Sequence, residues 1–110
     1  MKLAVVGATG WIGSALVAEA LARGHAVTAV VRDPAKLPPG SPVEAMIADV
    51  EDVDALAAAF RGQDAVLHAF APPRTASDEE RIARQAAGTR AIIAAAHRAG
   101  VSRLIAVGGA

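Results

Sequence analysis

The stretch AVVGATGWIGSALV, residues 4–17, sets Gly7, Gly10 and Gly13 three residues apart, between a short apolar run and a longer segment of mixed character. The run 3–6 is built from Leu, Ala and Val, residue types that suit a strand buried on both faces. From residue 11 onward, Ile12, Leu16, Val17 and Leu21 recur at helical spacing, Ser14, Glu19 and Arg23 fall elsewhere, and Gly24 supplies a stop. Strand, glycine turn and helix are therefore expected in succession. Gly7 permits the tight turn, Gly10 leaves the backbone open to close approach, and Gly13 lets the helix pack closely on the strand.

The same alternation continues along the chain. Apolar runs at 26–31, 43–47, 65–69 and 104–107 read as further buried strands. Segment 52–60 follows the acidic start DVED, which suits a helix N-terminus. Segment 77–99 opens SDEE, a serine cap with glutamate three residues on, and closes with His97 and Arg98 before Gly100. On that helix Ile82, Ala86, Ile92, Ile93 and Ala96 are expected to face the sheet. Arg81, Arg84 and Arg90 are expected to be exposed, as a solvated face or an oligomer contact. Segment 32–42 holds four of the six prolines and reads as a loop or broken turn.

Strands alternating with helices imply parallel pairing through right-handed crossovers. The expected fold is an α/β, doubly wound, Rossmann-like parallel sheet of five strands in order 3-2-1-4-5, with a ligand crevice at the carboxyl ends of strands 1 and 4. Residues 1–110 read as one domain without repeat or linker.

Composition removes several function classes. Eleven basic residues balance eleven acidic ones, so no charged field exists to hold nucleic acid or anionic lipid. The chain has no cysteine, which excludes disulfides and thiol catalysis and is compatible with the cytoplasm. No apolar run is long enough to span a bilayer, and the first glycine comes too early for a secretory signal. His25, His68 and His97 show no metal-ligand spacing.

A glycine turn between a strand and a helix is a cradle for phosphate, so the expected ligand is a dinucleotide, its pyrophosphate on the helix N-terminus. Arg32 and Asp33 end the second strand, where the adenosine ribose would lie. Asp33 would accept from the 2′-hydroxyl of NAD, whereas Arg32 would pair with the 2′-phosphate of NADP. NADP is preferred, because Asp33 precedes Pro34 and is free to cap a turn instead; NAD stays the alternative.

GATGWIG (7–13), VVRDP (30–34), the acidic pair of IADVED (47–52), DAVLHAFAPP (64–73) and GTRAIIAAAHRAGVSRLIAVGG (88–109) together resemble the N-terminal half of the short-chain dehydrogenase/reductase superfamily. The likeness is to its atypical and extended branch, with the NmrA-like and flavin-reductase-like proteins. The resemblance implies Thr9, Gly10, Trp11 and Ile12 along the diphosphate and Arg32 at the ribose. It further implies Asp49 and Val50 beside the adenine, and Ala69, Phe70 and Ala71 lining the crevice. For Asp49, capping of the following helix is an equal alternative. His68 resembles the histidine of an HxAA-like stretch, and a structural role is expected for it. Active members of the superfamily usually carry a Tyr-x-x-x-Lys pair for proton transfer. This chain has no tyrosine, and its only lysines are Lys2 and Lys36, so no catalytic residue is assigned.

Relatives of that kind continue past the fifth strand, so a missing substrate-binding part is expected, with self-association or pairing through the fifth-strand edge. Gly108-Gly109 resembles the glycine turn of the flavin-reductase-like group. Two functions follow from the resemblance. One is an NAD(P)H-dependent oxidoreductase acting on a small carbonyl, quinone or flavin; the other is a non-catalytic, redox-sensing dinucleotide module.

Overall fold

The computed structural model describes residues 1–72 and 77–107; the Gly108-Gly109 turn lies outside them. Five strands, β1 (Lys2–Val6), β2 (Ala26–Val31), β3 (Glu44–Ile47), β4 (Ala65–His68) and β5 (Leu104–Ala106), form one sheet in the order β3-β2-β1-β4-β5. Every neighbouring pair is parallel. Three helices, α1 (Trp11–Ala22), α2 (Val53–Phe60) and α3 (Asp78–Ala99), connect them, with a short 3-10 helix at Pro34–Lys36 in the proline-rich segment. The doubly wound architecture expected from the sequence is the one observed.

Because successive strand residues point to opposite faces, β1 and β2 feed two apolar layers. Ala4, Val6, Val30 and Val66 face α2 and α3, meeting Leu56, Phe60 and Ile92. Leu3, Val5, Val27, Ala29 and Val31 face the other way, toward Val17 and Ala20 of α1. The central strands thus bury both faces, as their continuous apolar runs require.

The edge strands do not. In β3 only Met46 is partly buried and Ile47 is largely exposed; in β5 Ile105 and Ala106 are exposed. For β3 the reason is the connection before it. A single 3-10 turn stands where a full helix would cover the sheet, so Ile47 has nothing packed over it.

The buried stripe of α3 also departs from expectation. Gly88, Ala91, Ile92, Ala95 and Ala96 are buried, whereas Ile82 is 71% and Ile93 51% exposed. Ile93 lies one residue, about 100° of helix rotation, off the stripe through Ile92. Arg81 lies on the stripe, seven residues before Gly88, and is half-buried rather than exposed. Arg84 and Arg90 are exposed as expected.

Helix ends follow their residue types. Asp52 caps α2 by accepting from the Ala55 amide, and Ser77 caps α3 by accepting from the Glu80 amide. Gly100 closes α3 in the left-handed conformation at φ 77°.

Candidate functional site

The glycine turn sits at the carboxyl end of β1, against the carboxyl end of β4. Register pairs Val6 with His68, and the Ala69 amide donates to the Val6 carbonyl at 2.9 Å. Gly7 takes φ +82°, and a Cβ there would lie 2.6 Å from the Ala69 carbonyl oxygen. Only glycine admits both the conformation and the approach. A Cβ on Gly13 would lie 1.8 Å from the Gly7 carbonyl oxygen, so the first turn of α1 is pressed onto the loop that precedes it. A Cβ on Gly10 meets only that same oxygen, at an ordinary 3.4 Å. Gly7 and Gly13 are thus required by packing, while Gly10 has room for a Cβ.

Hydrogen bonding singles out the N-terminus of α1. Gly10 occupies its N-cap with no side chain to cap it, and the first intrahelical bond is Ser14 amide to Gly10 carbonyl at 2.8 Å. The amides of Trp11, Ile12 and Gly13 therefore have no intrahelical acceptor. No acidic residue stands in that first turn, unlike in α2 and α3. Free amides at the positive end of a helix dipole form a seat for an anion. Thr9, Gly10, Trp11 and Ile12 are all exposed around it, Trp11 at 90%.

A second feature lies beyond the carboxyl ends of β2 and β3, where the sequence placed the adenosine ribose. Arg32, Asp49, Val50, Glu51, Phe70 and Arg84 line one small cleft of about 40 Å³. Four of these six residues are ones the sequence marked: Arg32, Asp49, Val50 and Phe70. Asp33 does not line the cleft, and its carboxylate accepts from the Ala35 amide at 3.0 Å, capping the 3-10 helix. Asp49 accepts from the Glu51 amide at 2.9 Å, closing a turn. The helix-capping role considered for Asp49 belongs to Asp52, three residues on.

Ala69 and Phe70 are half-buried at the end of β4, and Ala71 is exposed. The Phe70 ring packs on α3 where Gly88 leaves room, since a Cβ there would lie 2.8 Å from it. Of the cleft residues, sequence reading missed Glu51 and Arg84, and it missed the packing of Phe70 against Gly88, which stands four residues after Arg84 on α3. That helical spacing is visible in the sequence, but the face the two share is decided by tertiary contact.

His68 is 3% exposed, and both ring nitrogens are engaged. Its Nδ1 accepts from the Phe70 amide at 3.2 Å, and its Nε2 lies 2.9 Å from the Thr89 hydroxyl. An accepting Nδ1 puts the proton of the neutral ring on Nε2, which then donates to Thr89. Burial pushes the imidazole pKa below its ordinary value, favouring this neutral form. The expected structural role fits this geometry, with His68 bracing β4 against α3. His25 instead sits beside the Met1 amino group, and no metal-binding cluster occurs among the described residues.

A doubly wound sheet, a glycine turn that packing demands and an uncapped helix N-terminus at the switch between β1 and β4 define a dinucleotide-binding domain. A family model described as NAD(P)H-binding matches residues 7–110, and the chain belongs to that family. A 3 beta-hydroxysteroid dehydrogenase/Delta 5→4-isomerase of Mycobacterium tuberculosis is 34% identical over 94% of this chain and 30% of its own. An exported protein described as putative, from Burkholderia pseudomallei, has a solved structure with TM-score 0.81 and 42% identity, over 100% of this chain and 48% of its own. A short-chain dehydrogenase/reductase superfamily protein from Agrobacterium tumefaciens, solved with bound NAD, gives TM-score 0.77 and 31% identity, over 96% of this chain and 32% of its own. The chain thus spans about a third to a half of the length of these relatives. No described helix is long and apolar enough to cross a membrane.

Proposed function

We propose that this chain is the cofactor-binding part of an NADPH-dependent oxidoreductase of the short-chain dehydrogenase/reductase type, acting on a small carbonyl, quinone or flavin. The observation that carries the reading is the α1 N-terminus, whose free amides lack any side-chain cap and lie among the exposed residues Thr9, Gly10, Trp11 and Ile12. A bound nicotinamide dinucleotide would supply hydride transfer. In this reading Gly7 and Gly13 hold the turn, and Thr9, Gly10, Trp11 and Ile12 meet the diphosphate. Asp49 and Val50 flank the adenine, while Ala69, Phe70 and Ala71 wall the crevice. The preference for NADP over NAD rests on Arg32, which lines the cleft, and on Asp33, whose carboxylate is occupied by the Ala35 amide.

Substrate recognition and proton transfer are assigned to further polypeptide or to a second chain, because the chain has no tyrosine and neither Lys2 nor Lys36 lines the cleft. Lys2 begins β1, at the opposite end of the sheet, and Lys36 lies in the 3-10 helix. The same lack of a tyrosine favours a second reading, a non-catalytic dinucleotide module whose cofactor state alters a protein contact.

Calorimetric titration with NADPH and with NADH, alongside light scattering for mass, tests the first reading. Tighter binding of NADPH is expected, and Gly10→Val is expected to fold but to bind neither cofactor. If the unaltered protein binds neither, the reading falls. Loss of nicotinamide absorbance with quinones, flavins or aldehydes then separates enzyme from module.

A further inference from the structure

The cleft at the adenosine end has a cationic group on each of two walls, and only Arg32 follows from the strand pattern. The other is Arg84 on α3. Arg84 stands four residues before Gly88, and residues four apart share one helix face. Gly88 is where that face meets the crevice: the place of its absent Cβ lies 2.8 Å from the Phe70 ring and 3.3 Å from Val50. One turn toward the helix N-terminus, the same face therefore brings Arg84 over the cleft that Phe70 and Val50 help to form, opposite Arg32.

Two carboxylates, Asp49 and Glu51, share this cleft, yet neither arginine forms an ion pair with them or with any other carboxylate among the described residues. Asp49 is already engaged by the Glu51 amide. Both arginines are exposed. Neither guanidinium is committed to a carboxylate among the described residues, so both have donors to offer an incoming anion. A guanidinium fork matches a phosphate group geometrically as well as electrically.

We propose that Arg84 is a specificity-determining residue which, with Arg32, takes up the 2′-phosphate of NADP from the α3 side of the cleft. This inference rests on the dinucleotide reading above. Arg32 holds the phosphate from the β2 wall and Arg84 from the helix wall, so the preference for NADP is shared between two elements far apart in sequence.

The test compares adenosine 2′,5′-bisphosphate with adenosine 5′-monophosphate, which differ only in the 2′-phosphate, on the unaltered protein and on Arg84→Ala, with NADPH and NADH titrated in parallel. Arg84→Ala should weaken the bisphosphate by roughly ten- to a hundredfold, the range for a lost charge-assisted hydrogen bond, and change the monophosphate by less than about twofold. Arg84→Lys should recover part of the loss. Because Arg84 is exposed on a helix surface, an unchanged unfolding midpoint is expected for both variants. Equal weakening of both nucleotides, or no weakening, overturns the inference while leaving the dinucleotide reading intact. An unaltered protein that binds neither NADPH nor NADH overturns both, and one that binds them equally well overturns the NADP preference, and with it the roles of Arg32 and Arg84, while leaving the dinucleotide reading intact.

Discussion

A methyl group at position 13 would sit 1.8 Å from the Gly7 carbonyl oxygen, a backbone atom that cannot swing aside. Gly13→Ala must therefore move α1 off the turn, and a loss of about 3 kcal/mol or more is expected, at the upper end for overpacking. Urea unfolding reads it as a lower midpoint at unchanged slope. Gly10 differs in kind, because a Cβ there meets only the Gly7 carbonyl oxygen, at an ordinary 3.4 Å. The glycine spacing made the turn and a division of labour among the three glycines legible in the sequence, but the atoms opposite each one were not, since the Ala69 carbonyl that crowds Gly7 is brought there by β4. His68 shows the same limit. Its position at the end of β4 was readable, whereas its partners, the Phe70 amide and Thr89, became visible only once α3 was placed. Its pKa is lowered in the folded protein, so the unfolded chain takes up a proton more readily. The stability His68 contributes is thus complete above its ordinary pKa of 6.5 and is lost as pH falls below that through the lowered folded value. Unfolding measured at about pH 7.5 and about pH 5.5 should show this loss, and His68→Gln, which does not titrate, should reduce it.

Among the helices, α2 and α3 carry their own caps and α1 does not. Ser77→Ala removes the oxygen that accepts from the Glu80 amide and should cost about 1 kcal/mol, read by thermal unfolding. No comparable cap exists to delete at α1, whose N-cap Gly10 offers no side chain. These ends were legible because capping is local: Ser77, Asp52 and Gly100 act within a few residues of themselves. Burial of whole elements was less so. The sequence of β3 matches that of a covered strand, but coverage depends on the connection before it, and the 3-10 turn there leaves Ile47 bare. On α3, apolar type suggested Ile82 and Ile93 as inward-facing, and the stripe through Gly88 and Ile92 runs elsewhere. The helix is also tied to α2 by an ion pair between Arg98 and Asp54. Its rotation answers to that neighbour as well as to the sheet.

At the scale of the molecule, strand order was readable because parallel crossovers of one hand leave few topologies open to alternating strands and helices. The crevice followed from that order. Its wall on α3 did not, because Arg84 lies 52 positions from Arg32 and nothing local marks the two as facing one cleft. The approach of Gly7 to Ala69 carries a kinetic consequence. The turn is shaped by a segment 62 positions away, so it cannot reach its final form while β1 stands alone or with β2 only. Closing so long a loop is slow compared with forming a local helix. The anion seat at α1 therefore matures only when β4 docks beside β1, and a nascent chain that has not yet emitted β4 carries the glycine motif without the cradle.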